Sequence, residues 1–389
     1  MTNFVQLYKS TDTNAPSLTG SANSLITLLN KCLVDGYVTA SVSSITRIGT
    51  TATAVLASSN ISLVTGNYVT ISGAAQSDYN GTFLITSIDS LNFTYQVANS
   101  PVTPATGTLL YAKASLGWTK PFAAGTNSQT YRSADATTNQ FYLQIIDNGA
   151  TAGTTKEAQV YGAEVMTADQ AVTVGQFPTV GFATTGMCWR KSDTADATVR
   201  PWTIIGDGRV FYLQTQPSSA ATVTAQLYGF GHFATLKLGD SYNTFLAAGS
   251  AFNTTNTLGG LIAAQPITAI NTATAGMIIA RSFTQVGIAT NGNICGFGGT
   301  FIGGVTCIGY PNAADTGYYV NPVFVGETVF SGTLRGRLLG FYNSLHSNPL
   351  SNWDTVTGVT GLPGITLITL VAGSGTIGQG MFDVFGPWS

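Results

Sequence analysis

Short runs in which apolar and hydroxyl-bearing side chains alternate decide what this chain can fold into. Between Gly66 and Val97 the sequence reads "GNYVTISGAAQSDYNGTFLITSIDSLNFTYQV". Val69 and Ile71 alternate with Thr70 and Ser72, and Phe93, Tyr95 and Val97 with Thr94 and Gln96; Phe83 and Ile85 flank Leu84. A period of two sends successive side chains to opposite faces of an extended backbone. Each run therefore predicts a strand with one face on a core and one in water. Asn80-Gly81 and Asp89-Ser90 fall between the runs, where hairpins need residues that tolerate turn geometry. The stretch predicts a small antiparallel β unit without a helix.

One segment has the other period. In "SANSLITLLNKCLVDG", Leu25, Leu28, Leu29, Cys32 and Leu33 form a single apolar stripe at helical spacing. Ser21 is the expected N-terminal cap and Gly36 the expected stop. The stripe predicts a helix packed across a sheet. From Val38 to Lys113 the sequence is rich in Thr and Ser and closes on "SPVTPATG", which marks a module inserted into another domain.

Downstream, "FYLQIIDNG" (Phe141–Gly149) precedes "AQVYG" (Ala158–Gly162), and "FYLQTQPSS" (Phe211–Ser219) precedes "AQLYG" (Ala225–Gly229). Two pairs in the same order predict a duplicated β motif, although two copies are too few for a solenoid. The expected fold is mainly β: an antiparallel sandwich- or barrel-like body with one short N-terminal helix and an inserted small β domain. Residues 1–37 supply a strand and the helix, 38–113 the insert, 114–245 the β body with the duplicated motif, and 246–389 a C-terminal β region.

Charge narrows the function. Only 8% of the 389 residues are charged, against about 25% in an ordinary soluble domain, while 44% are hydrophobic and 45 are Gly. Burial is not limiting, and the solvated faces must be built from hydroxyls and amides. The net charge is −2 and the 15 bases are scattered, with no patch to neutralise several phosphates, so nucleic-acid binding is not expected. "MTNFVQLYKSTD" lacks the basic-then-apolar order of a secretory leader, and "ITLITLVAG" falls well short of the roughly twenty residues a membrane helix needs. Cys32, Cys188, Cys295 and Cys307 lack zinc-site spacing and read as free thiols of a chain made in a reducing cytoplasm.

Chemistry is sparse. "GSGTIG" (Gly373–Gly378) matches the dinucleotide-binding pattern, but no room follows for the helix and strand that would complete the unit. His232 and His346 lie outside any nucleophile motif and read as structural; Cys188 is the one thiol weighed as a partner for His232. Asp193 and Asp196 read as a solvated loop paired with Arg190, Lys191 or Arg200, with loosely bound calcium as a lesser alternative. The expectation is no catalytic, cofactor or metal residue. If a site were assembled from distant residues, Asp147, Glu157, Glu164, Asp207 and Asp240 are the carboxylates to inspect first.

"LGWTKPF" (Leu116–Phe122), "TNSQTYRSAD" (Thr126–Asp135), "FYLQIIDNG", "MCWRKSDTADATVRPWTIIGD" (Met187–Asp207) and "GFGHF" together resemble a family of uncharacterised virion-associated structural proteins of tailed bacteriophages and prophages. The opening "FVQLYKSTDTNAPSLTGSANSLITLLNKCLVDGY" is similar to that family's beginning. The insert looks like a small β module found in many phage structural proteins. The resemblance covers roughly residues 4–245 and carries no catalytic residues. It implies a virion protein, first of all a tail component such as the nozzle or part of the tail tube. The alternative within the class is a capsid decoration or head–tail joining protein. The alternative from another class is a receptor- or glycan-binding tail module using exposed aromatics. The partners expected are other copies in a cyclic homo-oligomer and other phage structural proteins such as adaptor, portal, fibre or capsid protein. The expected location is the phage particle, after synthesis in the bacterial host cytoplasm.

Overall fold

The structure is a computed structural model that describes residues 4–58, 63–148, 155–179, 187–218, 225–250, 276–295, 312–327, 333–346, 350–372 and 378–388, together with Leu261. It is mainly β, with 51% of residues in strands and 5% helical, in antiparallel barrel-like and half-barrel sheets.

Tyr37–Ile48, Thr51–Leu56, Tyr68–Ala74, Gly81–Leu84, Ser87–Ile88, Asn92–Gln96 and Gly107–Lys113 form a seven-stranded sheet of their own. The long first strand pairs with Gly107–Lys113 through its first half and with Thr51–Leu56 through its second, which curls the sheet around a private core. The alternating residues of the sequence fill that core: Val69, Ile71, Ile85, Phe93, Tyr95 and Val97 are buried, and Leu84 is exposed. Asp89 closes its turn by accepting the Leu91 and Asn92 amides, both at 2.7 Å.

The insert leaves and rejoins the body at one place. Tyr37 and Lys113 pair in register, and Leu116 N donates to Cys32 O at 3.0 Å. Asp12 from the N-terminal segment accepts Lys113 Nζ at 2.7 Å and the Tyr37 hydroxyl at 2.8 Å, all three groups being buried. Gln6 ties the two units a second time. Its amide donates to Tyr68 O at 2.8 Å and accepts Tyr68 N at 3.0 Å, while Phe4 stacks on the Tyr68 ring.

The helical stripe forms an α-helix, Ser24–Leu29, that widens into a π-helical turn, Asn30–Asp35. Leu25, Leu28, Leu29, Cys32 and Leu33 are all fully buried, and removing any of these leucines to Ala would cost about 2–5 kcal/mol. Gly36, at φ 73°, ends it. The start corrects the sequence reading. Asn23, not Ser21, precedes the helix, and no neighbouring side chain caps it. Ser21 instead donates to Asp196 O, and the Leu25 amide is satisfied by a distant carboxylate, Asp147.

The body has three layers. The front sheet comprises Trp118–Thr119, Ser128–Ser133, Tyr142–Ile146, Glu157–Ala168, Ala171–Phe177 and Met187–Arg190. The middle sheet runs through Gln6–Lys9, Trp202–Gly206, Val210–Thr215, Gln226–Thr235, Thr244–Ser250 and Gly276–Ile279. From there Thr290–Cys295, Val320–Glu327 and Thr333–Ser344 return to Gln226–Thr235, which closes a ring of antiparallel strands. Gly378–Asp383, Thr366–Ala372 and Thr355–Thr357 continue outward from Thr333–Ser344. The middle sheet is covered on both faces, so its strands are apolar at nearly every position. Phe211 and Leu213 join the front core with the helix; Val210 and Tyr212 join the back core with Phe341 and Phe382. Residues from 114–245 and 246–389 share that back core.

The two repeated motifs are alike in one half only. Phe211 and Leu213 lie in the front core, where Leu143 also lies and Phe141 packs against it. In the first copy Leu143 opposes Gly162, whereas in the second Tyr212 opposes Gly229. That is a slip of one residue, and a slip of one turns a strand over. Val160 accordingly faces the front core, while its counterpart Leu227 faces the back one.

Candidate functional site

Four of the five carboxylates singled out in the sequence are paired with cations of the same chain. Asp147, fully buried at the end of Tyr142–Ile146, takes Lys191 Nζ at 2.5 Å and the Leu25 amide at 2.9 Å. Lys191, equally buried, also donates to Ser21 O and Ser24 Oγ, so one ion pair ties the front sheet, the helix start and the loop after Met187–Arg190. Burial pushes Asp147 up to about 6, against the pull of Lys191. Asp207 holds Arg209 at 2.8 Å, and its carboxyl is likewise raised by burial. Glu157 opposes Arg190 across its strand pair.

Glu164 and Asp240 belong to a single network. Arg281 grips Glu164 with two parallel bonds, at 2.6 and 2.7 Å, with its guanidinium 4.4 Å from the centre of the Tyr242 ring. Arg335, 1% exposed, pairs with Asp240 at 2.6 Å and with Glu327, and donates to Arg281 O at 2.9 Å. Two buried carboxylates share this one guanidinium, and Glu327 Oε2 is left without a hydrogen-bond donor. These carboxylates act as ion-pair locks between strands.

The remaining sequence candidates are also tied down. His232 Nε2 accepts the Asn139 amide at 2.9 Å, and burial, with Arg209 nearby, holds its pKa down to about 4. His346 Nε2 accepts the Tyr319 amide at 2.8 Å and its ring stacks on Tyr318. Cys32 and Cys188 are free and buried, and burial raises both thiols. Cys307 and the Cys295 side chain lie outside the described residues. Asp193 and Asp196 meet Arg200 at 2.8 and 3.8 Å, and their loop presses on Gly20, where a Cβ would lie 1.9 Å from Thr194 O. Among the described residues no three His, Cys, Asp or Glu are grouped to hold a metal, and no helix is long and apolar enough to cross a membrane. Of "GSGTIG", residues 373–377 lie outside the described residues. The strands on either side pair antiparallel, Ala372 with Gly378, so the last glycine opens a strand where a dinucleotide site needs a helix.

The sequence reading missed an exposed apolar surface above the Arg335 network. Leu236 and Leu238 follow Gln226–Thr235, Val286 and Ile288 precede Thr290–Cys295, and all four are at least 65% exposed. The two loops are linked: Gln285 Nε2 donates to Gly239 O at 3.0 Å, and Lys237 Nζ donates to Phe283 O. Arg281 donates to Gln285 O at 3.3 Å, so the buried charges brace the loops from below. The sequence signal was present in the charged residues enclosed by apolar runs, such as Arg335 in "TLRGRLLGF", since a buried cation must find a partner. A second surface feature is a half-buried stack in which Phe122 lies on Tyr142, centroids 5.7 Å apart, with Arg132 5.2 Å from the Tyr142 ring.

No protein-family model matches the chain, and no curated protein is similar to it.

Proposed function

We propose that this chain is a structural protein of a bacteriophage virion, a tail component such as the nozzle or part of the tail tube. It works by assembling into a cyclic homo-oligomer with other phage structural proteins beside it, and it catalyses no reaction. The observation that carries this reading is the pairing of internal charge with an exposed apolar surface. Among the described residues Lys113, Lys120, Lys191, Arg200, Arg209, Arg281 and Arg335 are engaged in ion pairs within the chain. With only 8% of residues charged the outer surface is poor in charge, and the braced loops at Leu238 and Ile288 present apolar side chains to solvent. Like charges meet around a symmetric ring, so a surface poor in charge suits repeated self-contact. A capsid decoration or head–tail joining protein would use the same surface.

Native mass measurement of the purified chain, with immunogold labelling of the phage particle, tests this. A defined oligomer and label on the tail support the reading. A monomer at micromolar concentration, or a particle without label, overturns it. The stack of Phe122, Tyr142 and Arg132 favours a second reading, a glycan-binding tail module, because sugars lie flat on aromatic faces. Label confined to fibre tips, with binding to host polysaccharide, would favour it.

A further inference from the structure

A cleft of about 250 Å³ opens beside the last described strand, Gly378–Asp383, between Tyr342, Pro363, Ile365, Asp383, Phe385 and Trp388. Local geometry fixes its floor. Gly340, at φ 66°, lies under the Trp388 indole, where a Cβ would fall 2.0 Å from the ring. Trp388 Nε1 donates to Asp383 O at 2.9 Å, so the aromatic floor and the acid are held together.

Asp383 differs from most of the other buried acids. Asp12, Asp147, Glu164, Asp207, Asp240 and Glu327 each have a Lys or Arg partner. Asp383, 8% exposed, has no ion pair among the described residues; its Oδ1 accepts the Phe385 amide at 3.1 Å, and the Gly386 amide also bonds the carboxyl. Arg337 acts on the Tyr342 hydroxyl but forms no ion pair with Asp383. A carboxylate out of water without a counter-charge is costly, and a cation entering the cleft would relieve that cost.

We propose that this cleft receives a lysine side chain from an adjoining protein chain, with its ammonium on Asp383 and its stem along Pro363, Phe385 and Pro387. The lining is an apolar trough with an acid inside it, which fits a long apolar stem carrying a compact charge. Lysine suits it better than arginine. The Phe385 and Gly386 amides already bond the carboxyl, so the two-oxygen face that a guanidinium fork prefers is not free, whereas an ammonium needs a single lone pair. The Tyr342 hydroxyl, which makes no hydrogen bond among the described residues, is a second acceptor on the wall. The inference stands on the cleft alone and holds whatever assembly the chain belongs to.

The test titrates the intact protein with n-butylammonium, with propylguanidinium and with neutral n-butanol, following tryptophan fluorescence. Saturable n-butylammonium binding is expected with a Kd on the order of 1 mM, and about tenfold weaker binding of the other two probes. Asp383→Asn should lose about tenfold in n-butylammonium affinity with an unchanged melting temperature. Tyr342→Phe, which keeps the ring, is the second variant and should weaken binding a few-fold. Equal binding of n-butanol, tighter binding of propylguanidinium, or n-butylammonium binding that survives both substitutions overturns the proposal, as does the absence of saturable binding.

Discussion

The Asp147 carboxylate accepts the backbone amide of Leu25, 122 residues earlier in the chain, at 2.9 Å. It does the work usually left to a capping side chain beside the helix, and it neutralises Lys191 at the same time. Asp147→Ala strands a buried ammonium and frees the helix start, so a loss of about 3–5 kcal/mol is expected in denaturant unfolding. Ser21→Ala, which alters the cap expected from sequence, should cost under about 0.5 kcal/mol. Equal losses for the two variants would refute the assignment.

His232 predicts a pH dependence. Its folded pKa of about 4 lies below the ordinary 6.5, so its stabilising contribution is complete above pH 6.5 and is lost as pH falls through 4. The difference corresponds to about 3 kcal/mol. Asp147 runs the other way: raised from 3.8 to about 6, its contribution is complete below pH 3.8 and is lost as pH rises through 6. The two oppose each other between pH 4 and 6. Replacing His232 by Gln, whose amide oxygen can accept the Asn139 amide, should make the chain gain stability relative to wild type on acidification. Parallel stability curves from pH 7 to 4 would show that the imidazole is not the responsible group.

The insert should be removable if its root is kept. Excising residues 39–111 and joining the ends by a short turn leaves Tyr37, Lys113 and Asp12 in place, and closing or opening such a loop changes little entropy. The shortened chain should melt cooperatively. Extending the deletion through Lys113 strands buried Asp12 and should lower the melting temperature by several degrees. Aggregation of both versions would mean that the insert is part of the body's own core.

Assembly should depend on the apolar loops and little on salt. Leu238→Asp with Ile288→Asp is expected to shift the chain to monomer without changing its melting temperature, because both side chains face solvent. Raising salt from 0.05 to about 0.5 M should leave the wild-type oligomer intact, since screening acts on charge and these loops present mainly apolar side chains. Each interface should bury more than about 1,000 Å² in total. A salt-labile oligomer, or one indifferent to the double substitution, would contradict this account.

Local pattern carried the strands of the insert and the buried stripe of the helix, because both are set by which side chains avoid water. It carried less where two layers compete for one strand. "VFYL" reads as apolar throughout, and only packing reveals that Phe211 and Tyr212 serve different cores. The ion pairs were out of reach for a related reason. Lys191 lies 44 residues from Asp147, Arg335 95 from Asp240 and Arg281 117 from Glu164, and no window of sequence joins them. Near-identity also misled: "AQVYG" and "AQLYG" differ by one residue, yet they face opposite ways because the register is fixed by their neighbours.

Gln6 grips the peptide group of Tyr68, donor and acceptor together, and ignores what the side chain there is made of. An amide that imitates one more strand backbone reads geometry and not residue identity. The body thus offers a socket whose specification is written on its own side, and the guest need only present an extended peptide at that point. Sequence drift within the curled sheet leaves this grip untouched, so divergence is constrained at the Asp12 root and relaxed here.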